Sequence, residues 1–220
     1  MSPVSLLRKS ARAAAIVSTL VSAAFPLALA APATAEPCSD IEVIFARGTN
    51  DAPDLGRPGQ AFADALRSRV GGRTVSTYGV NYPASYDFLT AADGANDAAN
   101  RIATLASSCP STRVVLGGYS QGAAVVDMLA GIPPLGNRVG EVGSAPPLAG
   151  DLVPQVAAAV VFGNPSAKFG IPLTSSVFGG KAIDICKDGD PICSRGRNPF
   201  AHSDYVGMAD QAASFVAGIV

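Results

Sequence analysis

Gly118-Tyr119-Ser120-Gln121-Gly122 places a serine with a glycine two residues away on either side. A serine presented on a sharp strand-to-helix turn needs small neighbours at those positions, because the backbone doubles back there. The pentapeptide alone arises often by chance. Its surroundings make it specific: Val114-Val115-Leu116 precedes it and an apolar stretch over 123–130 follows, the strand, turn and helix that an exposed nucleophile needs. A hydroxyl is a weak nucleophile at neutral pH and requires a base. The 220-residue chain holds 1 His, so any imidazole base is His202. That imidazole needs a carboxylate to hold its tautomer and stabilise its charged form. Asp184, Asp188, Asp190 and Asp204 lie within reach in sequence. Asp184 falls in a strand and Asp204 reads as the cap of the last helix. Asp190 lies between Cys186 and Cys193, where a disulfide would fix its geometry.

The elements that must position these groups alternate. Apolar runs at 41–46, 75–80, 112–119, 156–162 and 182–185 read as strands. Between them, 57–70 carries Phe62, Leu66 and Val70 every fourth residue, 95–108 carries Ala98, Ile102 and Leu105 on one face, and 123–130 is apolar all round. A last helix is expected over 204–219, with Met208, Ala212, Phe215 and Ile219 on its buried side. Strands separated by helices predict an α/β fold with a mostly parallel sheet covered on both faces and its working site at the carboxyl ends of the strands. Two Gly- and Pro-rich stretches, 132–154 and 164–180, read as long functional loops.

Composition excludes several classes. The chain is 48% hydrophobic and 15% charged, with 16 Lys+Arg against 17 Asp+Glu, too apolar for disorder and too balanced for a nucleic-acid binder. A single histidine cannot build a multi-histidine metal site, the cysteines lack paired C-x-x-C spacing, and neither G-x-G-x-x-G nor G-x-x-x-x-G-K-[ST] occurs, so no metal, other cofactor or nucleotide is expected. Residues 1–35 contain Arg8, Lys9 and Arg12 but no acid, then an Ala-, Val- and Leu-rich run broken by Ser18, Ser22 and Pro26, then Ala33-Thr34-Ala35. This reads as a cleaved secretory signal, leaving one mildly acidic domain over 36–220. A membrane anchor is the competing reading, disfavoured by the Ala, Ser and Pro content. Export implies two disulfides. The local pairing joins Cys186 to Cys193 and leaves Cys38 for Cys109. By chain entropy the long link is worth about 4 kcal/mol and the short one about 2.5 kcal/mol, so the short bridge is expected to hold more than the fold.

Taken in order, Cys38, Phe45-Ala46-Arg47-Gly48-Thr49, Gly117-Gly118-Tyr119-Ser120-Gln121-Gly122, the segment from Cys186 to Cys193 and Ala201-His202 resemble the cutinase family, in particular the secreted cutinase-like proteins of mycobacteria and related actinobacteria. The order Ser120, Asp190, His202 is that of α/β hydrolases. The resemblance implies a compact α/β-hydrolase-like three-layer sandwich with a central five-stranded parallel sheet and no large lid. It implies Ser120, Asp190 and His202 as catalytic triad, Gly118 and Gly122 as the elbow glycines, and the two disulfides above. It also implies an oxyanion hole from the Gln121 and Thr49 N–H groups with the Thr49 hydroxyl, where the family often has Ser. The expected protein is a secreted or cell-wall-associated monomeric serine esterase. Its substrates would be short- to medium-chain acyl or lipid esters, met with transient contact at a lipid interface. An acetylxylan-type esterase and a catalytically silent lipid- or glycan-binding surface protein are the alternatives. The segments Ile132-Pro133-Pro134-Leu135, Ile171-Pro172-Leu173 and Pro199-Phe200 are candidates for an apolar rim.

Overall fold

In a computed structural model, residues 37–135 and 142–220 are described. The expected signal sequence lies outside the described residues, as does 136–141 within the first long loop. Five strands, β1 (Ile41–Ala46), β2 (Val75–Gly79), β3 (Arg113–Tyr119), β4 (Val156–Phe162) and β5 (Ala182–Ile185), form one sheet in the order β2-β1-β3-β4-β5. Every neighbouring pair is parallel. The five expected strands are therefore all present, each within a residue of its expected bounds.

Alternation along the strands divides the core in two. Ile41, Val43, Phe45, Val115, Ala158, Val160 and Phe162 face one side, with residues of α1 (Gly56–Arg67) and the C-terminal helix. Ile44, Ala46, Val114, Leu116, Ala159 and Val161 face the other, against α2 (Ala91–Ser108) and α3 (Gln121–Leu129). Period-two side chains with a helix layer on each face make both halves of every central strand apolar, which is why these strands read as continuous runs. Phe45, Phe62 and Phe162 meet with ring centroids 6.2–6.4 Å apart and fill the first side. All nine residues of α3 are buried, as expected for a helix without a polar face.

Polar groups interrupt that interior, among them a carboxyl on α3. Asp127 on α3 is fully buried; its Oδ1 accepts a hydrogen bond from Asn164 Nδ2 at 3.1 Å, and its Oδ2 has no partner among the described residues. Burial pushes the Asp127 carboxyl up to about 8, only partly offset by the Ser166 and Asn164 side chains.

The expected last helix is corrected. The chain forms α4 (Pro199–His202), then a 3₁₀ turn over Val206–Met208, then α5 (Ala209–Ala217). Asn198 starts α4 by accepting from Phe200 N at 3.1 Å, with Pro199 in the first helical position, so helical structure begins earlier than expected and breaks after His202. Asp204 caps no helix and instead pairs with Lys187. The buried side of α5 is Ala209, Ala212, Ala213 and Val216, while Met208, Phe215 and Ile219 are only partly buried. A stripe of alanines lets α5 lie close against α1, which the larger side chains would prevent.

Candidate active site

The strand order reverses between β1 and β3, and the crevice outside their carboxyl ends is where an open parallel sheet binds ligands. Ser120 stands there, after the last residue of β3 and before the first of α3, at φ 55 and ψ −114. A non-glycine residue in that region is strained and persists only where the surroundings over-determine it. They do so at this turn. Ser120 N–H donates to Phe162 O at 2.9 Å, and a Cβ on Gly118 would collide with the Gly122 backbone, as one on Gly122 would with Ala46 O. Both glycines are required by close approach, as the spacing predicts.

His202 ends α4 and lies between the other two predicted residues. Its Nε2 is 2.8 Å from Ser120 Oγ and its Nδ1 is 2.7 Å from Asp190 Oδ2. Asp190 is completely buried in the loop closed by the Cys186–Cys193 disulfide, and its Oδ1 accepts from Ile192 N at 2.7 Å. The Cys38–Cys109 disulfide lies at the other end of the sheet, beside the start of β1 and the end of α2. The remaining carboxylates are engaged elsewhere or point to solvent: Asp184 accepts from Asn164 Nδ2 and Thr174 N, Asp204 pairs with Lys187, and Asp188 is exposed.

Two tyrosines complete this cluster, Tyr119 inside the serine pentapeptide and Tyr205 three residues after His202, and sequence reasoning gave neither a role. Tyr119 O–H donates to His202 O at 2.5 Å, with the two rings 5.3 Å apart. Tyr205 O–H donates to Asp190 Oδ2 at 2.5 Å. Burial raises the Tyr119 hydroxyl to about 12 and Tyr205 well above the usual phenol range, so both remain donors. The available signal was the spacing from His202 to Tyr205, which an aromatic in a core helix produces equally well.

Across the crevice, Thr49 follows β1. The turn that carries it is closed by Gly48 N–H donating to Asp51 Oδ2 at 3.2 Å and Asn50 N–H to Ala84 O at 2.7 Å, and burial raises the Asp51 carboxyl. Thr49 Oγ1 donates to Gln121 Oε1 at 3.1 Å, while Gln121 Nε2 is buried with no partner among the described residues. Gln121 N–H is the first of α3, where helical donors lack intrahelical partners and the dipole is positive.

Ser120 opens into a hollow of about 420 Å³ lined by Thr49, Tyr86, Phe88, Leu135, Val142 and Ile192 among others. Of the expected rim, only Leu135 is in the wall. Leu173 belongs to the core, and Phe200 is 80% exposed outside the hollow. Tyr86 and Phe88 come from the turn between β2 and α2 and meet edge-on, 6.2 Å between centroids. Among the described residues no group of three or more His, Cys, Asp or Glu is placed to hold a metal ion, and no helix is long and apolar enough to cross a membrane.

Comparison with known proteins extends these observations over the whole fold. The sequence profile of the family described as Cutinase matches residues 37–220. Phospholipase Culp4 of Mycobacterium tuberculosis is 50% identical over 219 residues, 96% of this chain and 94% of that protein. Carboxylesterase Culp1 of the same organism is 43% identical over 228 residues, 99% of this chain and 97% of the relative. Among solved structures, Trichoderma reesei cutinase in complex with a C11Y4 phosphonate inhibitor superposes with a TM-score of 0.67 at 37% identity, covering 83% of this chain and 77% of that one. The catalytic core domain of acetyl xylan esterase from Trichoderma reesei gives a TM-score of 0.70 at 25% identity, covering 84% of this chain and 100% of that one.

Proposed function

The chain belongs to the cutinase family and is a carboxylic ester hydrolase, and on that premise we propose that Ser120, His202 and Asp190 carry the reaction through an acyl-enzyme. The observation that supports the reading most is the continuous line from Asp190 Oδ2 through the His202 ring to Ser120 Oγ, with both steps under 3 Å, on a serine held in a strained turn. With Asp190 accepting from Nδ1–H, the lone pair of Nε2 faces the serine hydroxyl. His202 takes that proton as Ser120 attacks the ester carbonyl, then returns it to the departing alcohol. Water repeats the sequence on the acyl-enzyme and frees the acid.

The oxyanion of each tetrahedral intermediate would be met by Gln121 N–H at the start of α3 and by Thr49 N–H and hydroxyl. The Thr49 hydroxyl donates to Gln121 Oε1 in the structure, and turning that amide end for end would put Nε2 on Thr49 Oγ1 and free the threonine proton for the oxyanion. The walls of Phe88, Leu135, Val142 and Ile192 suit an acyl chain better than an acetylated sugar, and the relative named as a phospholipase agrees with lipid-derived esters. The likeness to an acetyl xylan esterase gives the second reading, a deacetylase of polysaccharide. A chain-length series from acetyl to palmitoyl esters separates the two. We further propose that residues 1–35 are removed on export and that the domain acts as a single copy outside the cell or at the cell wall. The two disulfides and a catalytic set supplied by one chain support this.

Ser120→Ala tests the reading. It is expected to abolish hydrolysis of p-nitrophenyl butyrate and labelling by a fluorophosphonate while leaving the thermal melt unchanged. Full activity in that variant would sink it.

A further inference from the structure

We propose that Tyr205 is a positioning residue for Asp190: its hydroxyl ties both ends of the Cys186–Cys193 loop to the carboxylate and shares the oxygen on which His202 depends. This rests on the reading of Asp190 as the partner of His202.

Tyr205 is completely buried, and its ring packs against Phe162 at 5.9 Å and Tyr119 at 5.5 Å between centroids. For a core aromatic that packing is sufficient reason to be there. The hydroxyl has further partners. It accepts from Lys187 N–H at 3.1 Å, one residue after Cys186, and lies 3.3 Å from Cys193 Sγ at the far end of the loop. A disulfide sulfur carries no proton, so the single phenolic proton goes to Asp190 Oδ2 at 2.5 Å. One buried oxygen therefore touches the entry, the exit and the functional carboxylate of an eight-residue loop.

Asp190 Oδ2 thus receives two donors, the Tyr205 hydroxyl and His202 Nδ1, while Ile192 N–H serves Oδ1. A carboxylate buried this completely is costly to leave without partners, and these donors satisfy it. The phenol also competes with the imidazole: charge drawn toward Tyr205 is unavailable to stabilise the imidazolium. Other ionisable or charged groups around this centre are Tyr119 at the end of β3, with Asp51 and Arg57 acting on it, and Lys187 paired with Asp204 in the loop. None of them is seen to donate to Asp190, so among the described residues the Tyr205 hydroxyl, with Ile192 N–H on the other oxygen, sets how the carboxylate faces His202.

Tyr205→Phe removes the hydroxyl and keeps the ring. Two consequences are expected together in esterase kinetics on p-nitrophenyl butyrate. First, kcat falls about five- to twentyfold at unchanged KM, because the loop no longer holds Asp190. Second, the acid limb of the kcat/KM profile moves to higher pH by about half a unit or more, because Oδ2 now serves His202 alone. Tyr205→3-fluorotyrosine, a stronger donor of nearly the same shape, is expected to move the limb the opposite way and covers the case in which the phenylalanine variant fails to fold. A lowered melting temperature with an unmoved acid limb in both variants would overturn the proposal and leave Tyr205 as core packing. The low-field ring N–H resonance of the single histidine, followed in the Ser120→Ala background, gives the same comparison without turnover. A shift on adding Tyr205→Phe supports the coupling even if Ser120 proves not to be the nucleophile, and no shift overturns it.

Discussion

Asp127→Asn isolates a buried carboxyl that is not fully paired among the described residues. In the fold, burial holds this group up to about 8, against an ordinary value of 3.8 in the unfolded chain. Below 3.8 both states carry the proton and the group does not affect stability. As the pH rises from there toward 8, the unfolded chain ionises while the folded chain holds its proton, and folding loses about 1.4 kcal/mol per pH unit. Above about 8 the folded state ionises as well and the loss levels off. Between pH 5 and pH 7 the change amounts to about 3 kcal/mol, a large share of the stability of a domain this size.

Asparagine has nearly the same shape and keeps an oxygen for the Asn164 Nδ2 bond, but does not titrate. Urea unfolding of both proteins at half-unit steps from pH 5 to pH 8 gives the difference directly, since all other titrations cancel. The variant is expected to gain on the wild type steadily across that range, by about 3 kcal/mol from pH 5 to pH 7, and its esterase activity at pH 6 is expected to stay within about twofold, because Asp127 contacts neither Ser120 nor His202. Parallel stability curves would refute the argument from burial: the carboxyl would then be ionised in the fold, with a partner such as water meeting Oδ2.

Two other perturbations separate roles that the geometry combines. Thr49→Val keeps the side-chain shape and deletes the hydroxyl, so kcat is expected to fall at least roughly tenfold with the melting temperature unchanged; an unaltered kcat would remove that hydroxyl from the oxyanion assignment. Opening each disulfide as a Cys→Ser pair is expected to rank the bridges in opposite orders. Urea unfolding should show the larger stability loss for Cys38 and Cys109, about 4 kcal/mol against about 2.5 kcal/mol for Cys186 and Cys193, while the esterase assay shows the larger loss for the short bridge, which holds Asp190. The same ranking in both assays would reduce the short loop to a stabilising element.

What could be read in advance follows from how far each residue's position depends on its immediate neighbours. β1, β4 and β5 are legible to the residue because their largely apolar runs end where the chain leaves the sheet. Ser120 is legible because the turn that presents it demands small residues at fixed offsets, Gly118 against the Gly122 backbone and Gly122 against the end of β1, and His202 because it has no rival in the chain. Asp190 was favoured over three nearby carboxylates by a covalent loop, which is also sequence-local. The pocket wall was not legible. Tyr86 and Phe88 sit in the short connection before α2, which has no periodicity, and the Pro-centred apolar triplet at 171–173 has the same composition whether it faces a ligand or, as here, the core.

Tyr205 escaped for a different reason. An unbroken helix from 204 would place it in the first turn, one core-facing aromatic among several. The break after His202 leaves it instead in the irregular stretch just before the 3₁₀ turn over Val206–Met208, with its hydroxyl beneath the disulfide loop. The helix boundary that the sequence pattern misjudged is the one that brings a phenol to the buried carboxylate. Gly207→Ala, at an exposed position where a Cβ meets nothing within 4 Å, favours helix ahead of α5 and is expected to lower kcat on p-nitrophenyl butyrate by drawing Tyr205 away from Asp190; an unchanged kcat would refute that link.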